Sequence, residues 1–348
     1  MLQAIDLFAG AGGLTLGFRA AGVKTVCAVE IVPVRVETFS KHTPYADIEN
    51  ADIQRVDLSR YKGKVDLVYG GPPCQPFSSG GLRKANQDQR NMIPWFIEVL
   101  KTIKPEAFLM ENVPGLVVGD RRTYLLSVLR EIDALGYQLA HKVVNAADHG
   151  VPQKRRRLFV AGMRKRKFRF PEPTHGPGRA HPYVAVRDVL PPHQVGEPNP
   201  SKVFYAKKPD LRPSPHDGHV FNGGGRPIDV DRPCHTILAS AGGNKTHFFD
   251  DLNLVPEYHR YVMAGNPPKT GTLPGARRLT VLESAIIQTF PPEMVFCGPK
   301  SAQYHQVGDA VPPKLAEVLA LAIVQQLGEE VQEGDPPLTL HSQTLLCL

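Results

Sequence analysis

The stretch that decides the fold of this chain runs Asp6-Leu7-Phe8-Ala9-Gly10-Ala11-Gly12-Gly13. An apolar segment at residues 4–8 leads into it, and a helical pattern at residues 14–21 follows it. Glycine permits a tight turn and a close approach of the backbone to a ligand, while the amino end of the next helix favours an anionic group. This order of strand, turn and helix predicts a ligand site at the end of the first strand.

Strands and helices continue to alternate through the first half of the chain. The sequence predicts further strands at 25–29, 65–69, 107–111 and 158–162, and further helices at 35–41, 94–103 and 123–135. Such alternation is typical of an α/β fold, with a mainly parallel sheet, helices on both faces and ligands at the carboxyl ends of the strands.

The glycine turn does not match the fingerprint of a dinucleotide site, because Thr15 stands where a third glycine or alanine is required. A NAD dehydrogenase is therefore excluded, and a ligand with a carboxylate and an adenosine fits better. Glu30, 18 residues beyond Gly12, is placed to bind ribose hydroxyls, and Asp52 to meet an adenine amino group. Each acid alone is more often a capping or surface carboxylate; their order after the turn favours a cofactor site.

A cysteine lies in a stiff loop after the third predicted strand, in the run Gly70-Gly71-Pro72-Pro73-Cys74-Gln75-Pro76-Phe77-Ser78. A lone cysteine is more often a small core residue, but glycines and prolines surround this one, and rigidity suits a nucleophile held at a fixed angle. Glu111 ends the strand at 107–111, so its carboxylate is expected at the same sheet edge as Cys74. Alternatively, Glu111 caps the next helix.

Charge and cysteine content limit the class of protein. The net charge of the 348 residues is +7, yet residues 151–170 alone carry nine basic and no acidic side chains. Such a run predicts a polyanionic partner, the alternative being a solvated surface. Five scattered cysteines without a C-x-x-C pair argue against disulfides and a metal site and predict a cytoplasmic location. No apolar run reaches the length of a membrane span.

Proline content predicts the domain boundaries. Residues 171–275 hold 17 of the 33 prolines, which excludes long helices and predicts a smaller, loop-rich, mostly β domain. We therefore divide the chain into a first domain (1–170), a smaller domain (171–299), a returning segment with a helix (300–328) and a tail (329–348). The motifs described next imply that the first domain is catalytic and binds the cofactor and that the second is a target-recognition domain.

Five motifs together resemble those of the DNA (cytosine-5)-methyltransferases. They are, in order, the glycine turn 6–13, the cysteine motif 72–78, Glu111-Asn112-Val113, Gln153-Lys154-Arg155-Arg156-Arg157 and Gly308-Asp309-Ala310-Val311-Pro312-Pro313. The resemblance covers about residues 3–327 and implies a Rossmann-like methyltransferase domain that uses S-adenosylmethionine and releases S-adenosylhomocysteine, without a metal.

The resemblance also implies the catalytic roles. Cys74 adds to carbon 6 of cytosine, which makes carbon 5 nucleophilic towards the methyl group, and this covalent route divides one hard step into easier ones. Glu111 engages the ring nitrogen and exocyclic amine, Arg157 contacts the ring oxygen, and Arg155 supports the thiolate. The target base is flipped out of the duplex.

The same resemblance assigns residues to the two ligands. The implied cofactor residues are Phe8, Ala9, Gly10, Gly12, Glu30, Ile31, Asp52, Ile53, Pro73, Ile93, Asp309, Ala310 and Val311. The implied DNA contacts are Gln75, Ser78, Ser79, Arg83, Arg90, Thr236, Ile237, Asn244 and Lys245. Asp309 departs from the asparagine usual in this motif, which puts its contact in doubt.

Three functional alternatives follow. The first is a bacterial DNA methyltransferase, linked to a restriction endonuclease of the same site or acting alone, monomeric and associated with the nucleoid. The second is a tRNA methyltransferase of the same chemistry, against which the large basic recognition region argues. The third is a catalytically silent DNA-binding protein, against which the intact Cys74, Glu111 and Arg157 argue. The recognised DNA sequence is not encoded in any motif.

Overall fold

A computed structural model describes residues 1–73, 91–240 and 242–328 and divides them into two compact units. Unit 1 holds residues 1–149, 156–174 and 311–328, and unit 2 holds 150–155 and 175–310. These units follow contacts along the chain: the division falls at residue 174, and residues 150–155 and 300–310 make their contacts in unit 2. Arg155, for example, donates hydrogen bonds to the carbonyl oxygens of Ile237 and Gly308. The functional domains expected from the sequence stay a prediction.

A seven-stranded sheet forms the centre of unit 1, in the order β3-β2-β1-β4-β5-β8-β6. The strands are β1 (Gln3–Leu7), β2 (Lys24–Glu30), β3 (Asp47–Asn50), β4 (Leu67–Gly70), β5 (Ala107–Asn112), β6 (Gln138–Asn145) and β8 (Arg156–Met163). Neighbours from β3 to β5 pair in parallel, and β8 runs antiparallel between β5 and β6. The mainly parallel sheet is therefore confirmed, with one reversed strand that the sequence analysis did not predict.

Helices cover both faces of this sheet, as expected. They are α1 (Gly13–Ala20), α2 (Pro33–His42), α3 (Ile93–Ile103), α4 (Asp120–Asp133) and, after unit 2, α8 (Pro313–Leu327). The main core lies between the sheet and α3 and α4, where Phe96, Leu100 and Ile132 pack against Val68 and Phe108. On the other face α8 packs against α1, and Phe18 of α1 stacks on Tyr69 of β4.

Unit 2 has little regular structure, in agreement with its proline content. Its strands are β7 (Gln153–Lys154), β9 (Tyr205–Asp210), β10 (His219–Phe221), β11 (Cys234–His235), β12 (Phe248–Asp250) and β13 (Ala276–Arg278). Its helices are α5 (Val255–Met263), α6 (Val281–Ile287) and α7 (Lys300–Asp309). The loop-rich character is confirmed; the strands form two-stranded pairs, and α5 was not predicted. A local core around Phe221, Phe248 and Tyr258 holds the loops together.

Candidate active site

The glycine turn joins β1 to α1 through a backbone that ordinary side chains disfavour. Phe8, Gly10 and Gly12 have φ angles of 60°, 57° and 88°, all in the left-handed region. A Cβ added to Gly10 would meet no atom within 4 Å, so open space adjoins the turn there. The first turn of α1 carries no acidic residue, and Gly12 provides no side-chain cap, which suits an anionic ligand group. The strained Phe8 marks this turn as a functional site.

Glu30 lies at the carboxyl end of β2, directly beside this turn. Its Oε2 accepts a hydrogen bond from the backbone N–H of Gly10 at 2.9 Å, and its Oε1 accepts one from Val32 at 2.8 Å. The parallel pairing of β1 with β2 brings these groups together. The carboxylate therefore connects the turn to the start of α2, at the edge where the sequence predicted a ribose-binding acid.

Asp6 is a buried acid beneath the turn to which the sequence analysis gave no role. Its Oδ2 accepts a hydrogen bond from the Thr15 hydroxyl at 2.6 Å, while its Oδ1 is buried and has no hydrogen-bond partner among the described residues. Burial, with a smaller contribution from Glu30, raises the pKa of Asp6 to about 8. A run of apolar neighbours around a carboxyl group was the signal that could have singled it out.

The predicted adenine residues lie after β3. One oxygen of Asp52 accepts a hydrogen bond from the N–H of Gln54 at 3.1 Å and so caps a short 3-10 helix, Ile53–Arg55. This is the capping role that was the alternative for Asp52. The side chain of Ile53 is buried in the core, whereas that of Ile31 is 59% exposed next to Glu30. Of the two isoleucines, Ile31 offers its surface to a ligand.

Glu111 and Arg157 form an ion pair at the carboxyl edge of the sheet, with Oε1 and Nε 3.0 Å apart. Because β8 is antiparallel, its first residues lie beside the last residues of β5: Glu111 pairs with Phe159, and Arg157 is two residues further along the same face. Both side chains are largely buried, at 14% and 19% exposure. The reversed strand is thus what brings the two predicted catalytic residues together.

The base of the cysteine loop is fastened to the same edge. The side-chain amide of Asn112 donates to the carbonyl oxygen of Pro72 at 2.9 Å, and the N–H of Met92 donates to that of Pro73 at 3.0 Å. Pro73 directly precedes Cys74 in the sequence. Cys74 itself and the predicted DNA contacts Gln75, Ser78, Ser79, Arg83 and Arg90 lie outside the described residues.

Several other predicted cofactor residues are buried or lie where the chain passes from one unit to the other. Ile93 is fully buried at the start of α3, so it belongs to the core, and Ala9 is also buried. Asp309 ends α7, with its Oδ2 3.9 Å from Nδ1 of His305, and Ala310 and Val311 follow it at the point where the chain passes from unit 2 to unit 1. Their cofactor contacts stay predictions.

Arg155 and Ile237 belong to one buried network of unit 2. The guanidinium of Arg155, 1% exposed, donates to the carbonyl oxygens of Ile237, Gly308 and Asp309. These contacts give Arg155 a structural role. Its predicted support of the Cys74 thiolate stays a prediction, because Cys74 lies outside the described residues. Ile237 is itself 1% exposed, and its N–H donates to Oε1 of Gln153. The Ile237 side chain is therefore buried within unit 2, and its contact with DNA stays a prediction.

The other predicted DNA contacts of unit 2 lie closer to solvent. Thr236 is partly exposed, and its hydroxyl donates to the carbonyl oxygen of Lys154 at 2.6 Å. Asn244 and Lys245 are exposed in the short 3-10 helix Gly243–Lys245. Both side chains are therefore available to a ligand, as the sequence analysis expected.

The basic run 154–169 does not form one patch in the structure. Strand β8 separates Arg157 from Lys165 by eight residues, which is about 26 Å at the rise of a strand. Lys165 and Arg166 instead line a cavity of about 140 Å³ at the amino ends of β1, β4 and β5, with Asp66 and Glu106. This cavity lies at the edge opposite Glu111 and is not part of the site. Of this run, Arg157 lies at the site edge, where it pairs with Glu111.

The described cysteines lie in the core. Cys27, Cys234 and Cys297 are buried. Burial raises the pKa of the Cys27 thiol to about 11 and that of Cys234 to about 12, so neither forms a thiolate near neutral pH. Within residues 1–73, 91–240 and 242–328, no group of His, Cys, Asp and Glu side chains could hold a metal ion, and no helix is long and apolar enough to cross a membrane.

Comparison with known proteins agrees with this arrangement. The C-5 cytosine-specific DNA methylase family matches residues 2–325. The Type II methyltransferase M.AplI of Arthrospira platensis is 32% identical over 337 residues, which cover 94% of this chain and 86% of that relative. The Type II methyltransferase M1.HphI of Haemophilus parahaemolyticus is 34% identical over 340 residues, covering 93% and 87%.

Solved structures show the same fold. The S. pombe Dnmt2 methyltransferase superposes with a TM-score of 0.68 at 19% identity and covers 94% of this chain and 99% of its own. A putative DNA modification methyltransferase encoded within an E. coli prophage gives a TM-score of 0.66 at 21% identity, covering 94% and 100%. The fold is thus that of the Rossmann-like methyltransferases that use S-adenosylmethionine.

The chain belongs to the family of C-5 cytosine-specific DNA methylases. It transfers a methyl group from S-adenosylmethionine to carbon 5 of cytosine in DNA. The general mechanism of the family uses a covalent cysteine intermediate and a flipped-out base.

Proposed function

We propose that Cys74 is the nucleophile of this enzyme and that Glu111 and Arg157 together hold the target cytosine. The observation that carries the assignment is the ion pair of Glu111 and Arg157 at the carboxyl edge of the sheet. The loop base Pro72-Pro73, which leads directly into Cys74, is hydrogen-bonded to Asn112, the residue after Glu111. A carboxyl group and a guanidinium side by side offer hydrogen-bonding partners to one edge of a base.

The proposed reaction assigns one task to each side chain. The Cys74 thiolate forms a bond to carbon 6 while Glu111, in its protonated form, donates its proton to the ring nitrogen, so the ring becomes an enamine with a nucleophilic carbon 5. Carbon 5 takes the methyl group that S-adenosylmethionine supplies when bound. A water molecule then takes the proton from carbon 5, the 5,6 double bond re-forms, the thiolate is expelled, and Glu111 recovers its proton from the ring nitrogen. Arg157 holds the ring oxygen and keeps the carboxyl group of Glu111 in position.

The glycine turn and its neighbours fit the proposed cofactor. Gly10 adjoins open space, the N-terminal N–H groups of α1 suit the carboxylate of the methionine part, and Glu30 is placed for the ribose. Asp6 lies below the turn as a buried carboxyl group that keeps its proton near neutral pH, so it supports the turn and adds no charge to the site. Ile31 offers an exposed apolar surface beside them.

We propose the remaining roles on the same grounds. Unit 2 recognises the DNA site, with Asn244 and Lys245 as base contacts, because both are exposed and their side chains suit adenine and guanine. The relatives named Type II methyltransferases support a bacterial restriction-modification role, with a restriction endonuclease of the same site as partner. A monomeric state and association with the nucleoid complete the proposal.

Product analysis tests this function. The purified chain is incubated with S-adenosylmethionine and duplex DNA, and the nucleosides are separated to detect 5-methyldeoxycytidine; bisulfite sequencing then gives the site. The variant Cys74→Ala should form no product while still binding DNA and cofactor, whereas Cys27→Ala, whose thiol is buried in β2, should retain activity. Product from Cys74→Ala would refute the nucleophile, and methylation of tRNA in preference to DNA would refute the substrate.

A further inference from the structure

Two segments of unit 2 run side by side beneath the proposed base contacts. The glycine segment Gly223-Gly224-Gly225 leads into Arg226, whose N–H donates to Nδ1 of His247 at 3.0 Å. Two further hydrogen bonds join the segments. The N–H of Ile228 donates to the carbonyl oxygen of Phe248 at 2.9 Å, and the N–H of Phe248 donates to that of Arg226 at 3.2 Å. Residues 247–248, which follow Asn244 and Lys245 in the chain, are therefore hydrogen-bonded to residues 226–228, which follow the glycines.

The glycines alternate in how closely they approach this segment. A Cβ added to Gly225 would lie 2.0 Å from the carbonyl oxygen of Thr246 and 2.9 Å from Nη1 of Arg278. A Cβ on Gly223 would lie 1.9 Å from the carbonyl oxygen of Asn244. At Gly224, by contrast, the nearest atom is Cβ of Lys245 at 3.9 Å, an ordinary contact. Only the first and third glycines exclude a side chain.

The close approach at Gly225 makes room for a buried arginine. Arg278, 1% exposed, donates from Nη1 to the carbonyl oxygen of Thr246 at 2.7 Å and from Nη2 to Oδ1 of Asn222 at 2.9 Å. Burial lowers the pKa of Arg278 to about 10, so it stays a cation at neutral pH. Thr246 follows Lys245 directly, so the hydrogen bond from Arg278 to the Thr246 carbonyl oxygen fixes the backbone next to the proposed base contacts.

His247 connects the same scaffold to the second DNA-facing segment. Because its Nδ1 accepts from Arg226, the ring proton is on Nε2, which donates to the carbonyl oxygen of Thr236 at 3.1 Å. Burial lowers the pKa of His247 to about 4, so the ring is neutral and this tautomer persists over the physiological range. The positions of residues 236 and 244–246 are thus set by one set of contacts.

We propose that Gly225 is a specificity-determining positioning residue: its missing side chain lets Thr246 dock on Arg278 and so sets where Asn244 and Lys245 meet the base edges. The inference rests on the proposed function of these two residues as base contacts. A side chain at Gly225 displaces the Thr246 carbonyl and moves both contacts, although neither contact residue is changed. Each well-formed base contact favours the correct base over a wrong one by about ten- to hundredfold. Displacing the two contacts should therefore lower the preference for the correct DNA site by a factor in that range.

The adjacent glycines provide a matched pair of variants. Gly225→Ala and Gly224→Ala add the same methyl group to neighbouring residues, and neither position has a positive φ angle. For each variant, kcat/KM is measured on the site that the wild type methylates and on duplexes with one changed base pair. The ratio of the two values is independent of the folded fraction, because the same molecules act on both DNAs.

We expect Gly225→Ala to lower this ratio at least tenfold and Gly224→Ala to leave it unchanged. An unchanged ratio in Gly225→Ala, or an equal loss in Gly224→Ala, would overturn the inference. Should Gly225→Ala not fold, His247→Asn tests the same scaffold: it retains an acceptor for the Arg226 N–H, loses the donor to Thr236, and should lower the ratio, and an unchanged ratio would again overturn the proposal.

A double variant separates this inference from the proposed function. Asn244→Ala with Lys245→Ala removes the proposed base contacts and should lower the ratio by at least as much as Gly225→Ala. A loss in the double variant without one in Gly225→Ala would overturn the positioning role alone. A loss in Gly225→Ala without one in the double variant would overturn the base contacts, and with them the mechanism inferred for Gly225.

Discussion

Removing either charge of the Glu111–Arg157 pair should destabilise unit 1 by more than an exposed ion pair would. The pair lies between adjacent strands with both side chains largely buried. Glu111→Gln and Arg157→Gln each leave the other charge without this partner, and the double variant removes both charges. The experiment measures whether the losses in the free energy of unfolding caused by the two substitutions add in the double variant.

The geometry gives the expected size of this dependence. At 3.0 Å and an effective dielectric constant of about 20, the attraction of two unit charges is about 5 kcal/mol. Loss of hydration offsets much of this, so each single variant should cost about 3 kcal/mol, the lower end for breaking a buried pair. The double variant should cost about 4 kcal/mol rather than 6, because the second substitution removes a charge that has already lost this partner. The coupling energy is then about 2 kcal/mol.

Urea unfolding followed by tryptophan fluorescence measures these values. The single tryptophan of the chain, Trp95, lies in α3 of unit 1 and so reports on this unit. Free energies of unfolding for the wild type, both single variants and the double variant complete the cycle. Costs that add within about 0.5 kcal/mol would show that the two side chains do not act as a pair and would refute the reasoning.

Three further predictions concern the turn and the chemistry. Because burial raises the pKa of Asp6 to about 8 from its usual 3.8, the folded protein holds a proton that the unfolded chain releases, and stability should fall by up to about 1.4 kcal/mol per pH unit as the pH rises through this window. Asp6→Asn should flatten that dependence in urea titrations at pH 5.5 to 7.5, and an unchanged slope would exclude Asp6 as its source. Glu30→Gln should weaken binding of S-adenosylmethionine by roughly ten- to hundredfold in calorimetry, since it loses hydrogen bonds to a charged group, and wild-type affinity would argue against the ribose role. Glu111→Gln should slow single-turnover methyl transfer by about 10²–10⁴-fold, and a wild-type rate would show that this carboxyl group takes no part.

Much of the fold of unit 1 could be predicted because local signals carried it. Hydrophobic periodicity located β1, β2, β4, β5 and β8 to within a few residues. The glycine turn and Glu30 were predicted to serve one cofactor site, and in the structure they are joined by a hydrogen bond. The strands β3 and β6, which have few buried residues and lie at the two sides of the sheet, gave no such signal.

Long-range pairing decided what the sequence could not reveal. Apolar periodicity does not encode strand direction, so the reversal of β8, which brings Arg157 to Glu111, appears only in the structure. The basic run is continuous in the sequence, but β8 places Arg157 at one edge of the sheet and Lys165 and Arg166 at the opposite edge. The burial of Arg155 and Ile237 depends on partners 82 or more residues away. The spacing at Gly225 likewise depends on Thr246, from a different loop.

The central claim, that Cys74 forms a covalent bond with the target base, has one direct test. A duplex that carries 5-fluorocytosine at the methylated position is incubated with the chain and S-adenosylmethionine and then run on a denaturing gel. Fluorine at carbon 5 cannot leave as a proton does, so wild-type protein should become permanently joined to the DNA, with the modified peptide containing Cys74. Failure of the wild type to form this adduct, or its formation by Cys74→Ala, would contradict the account.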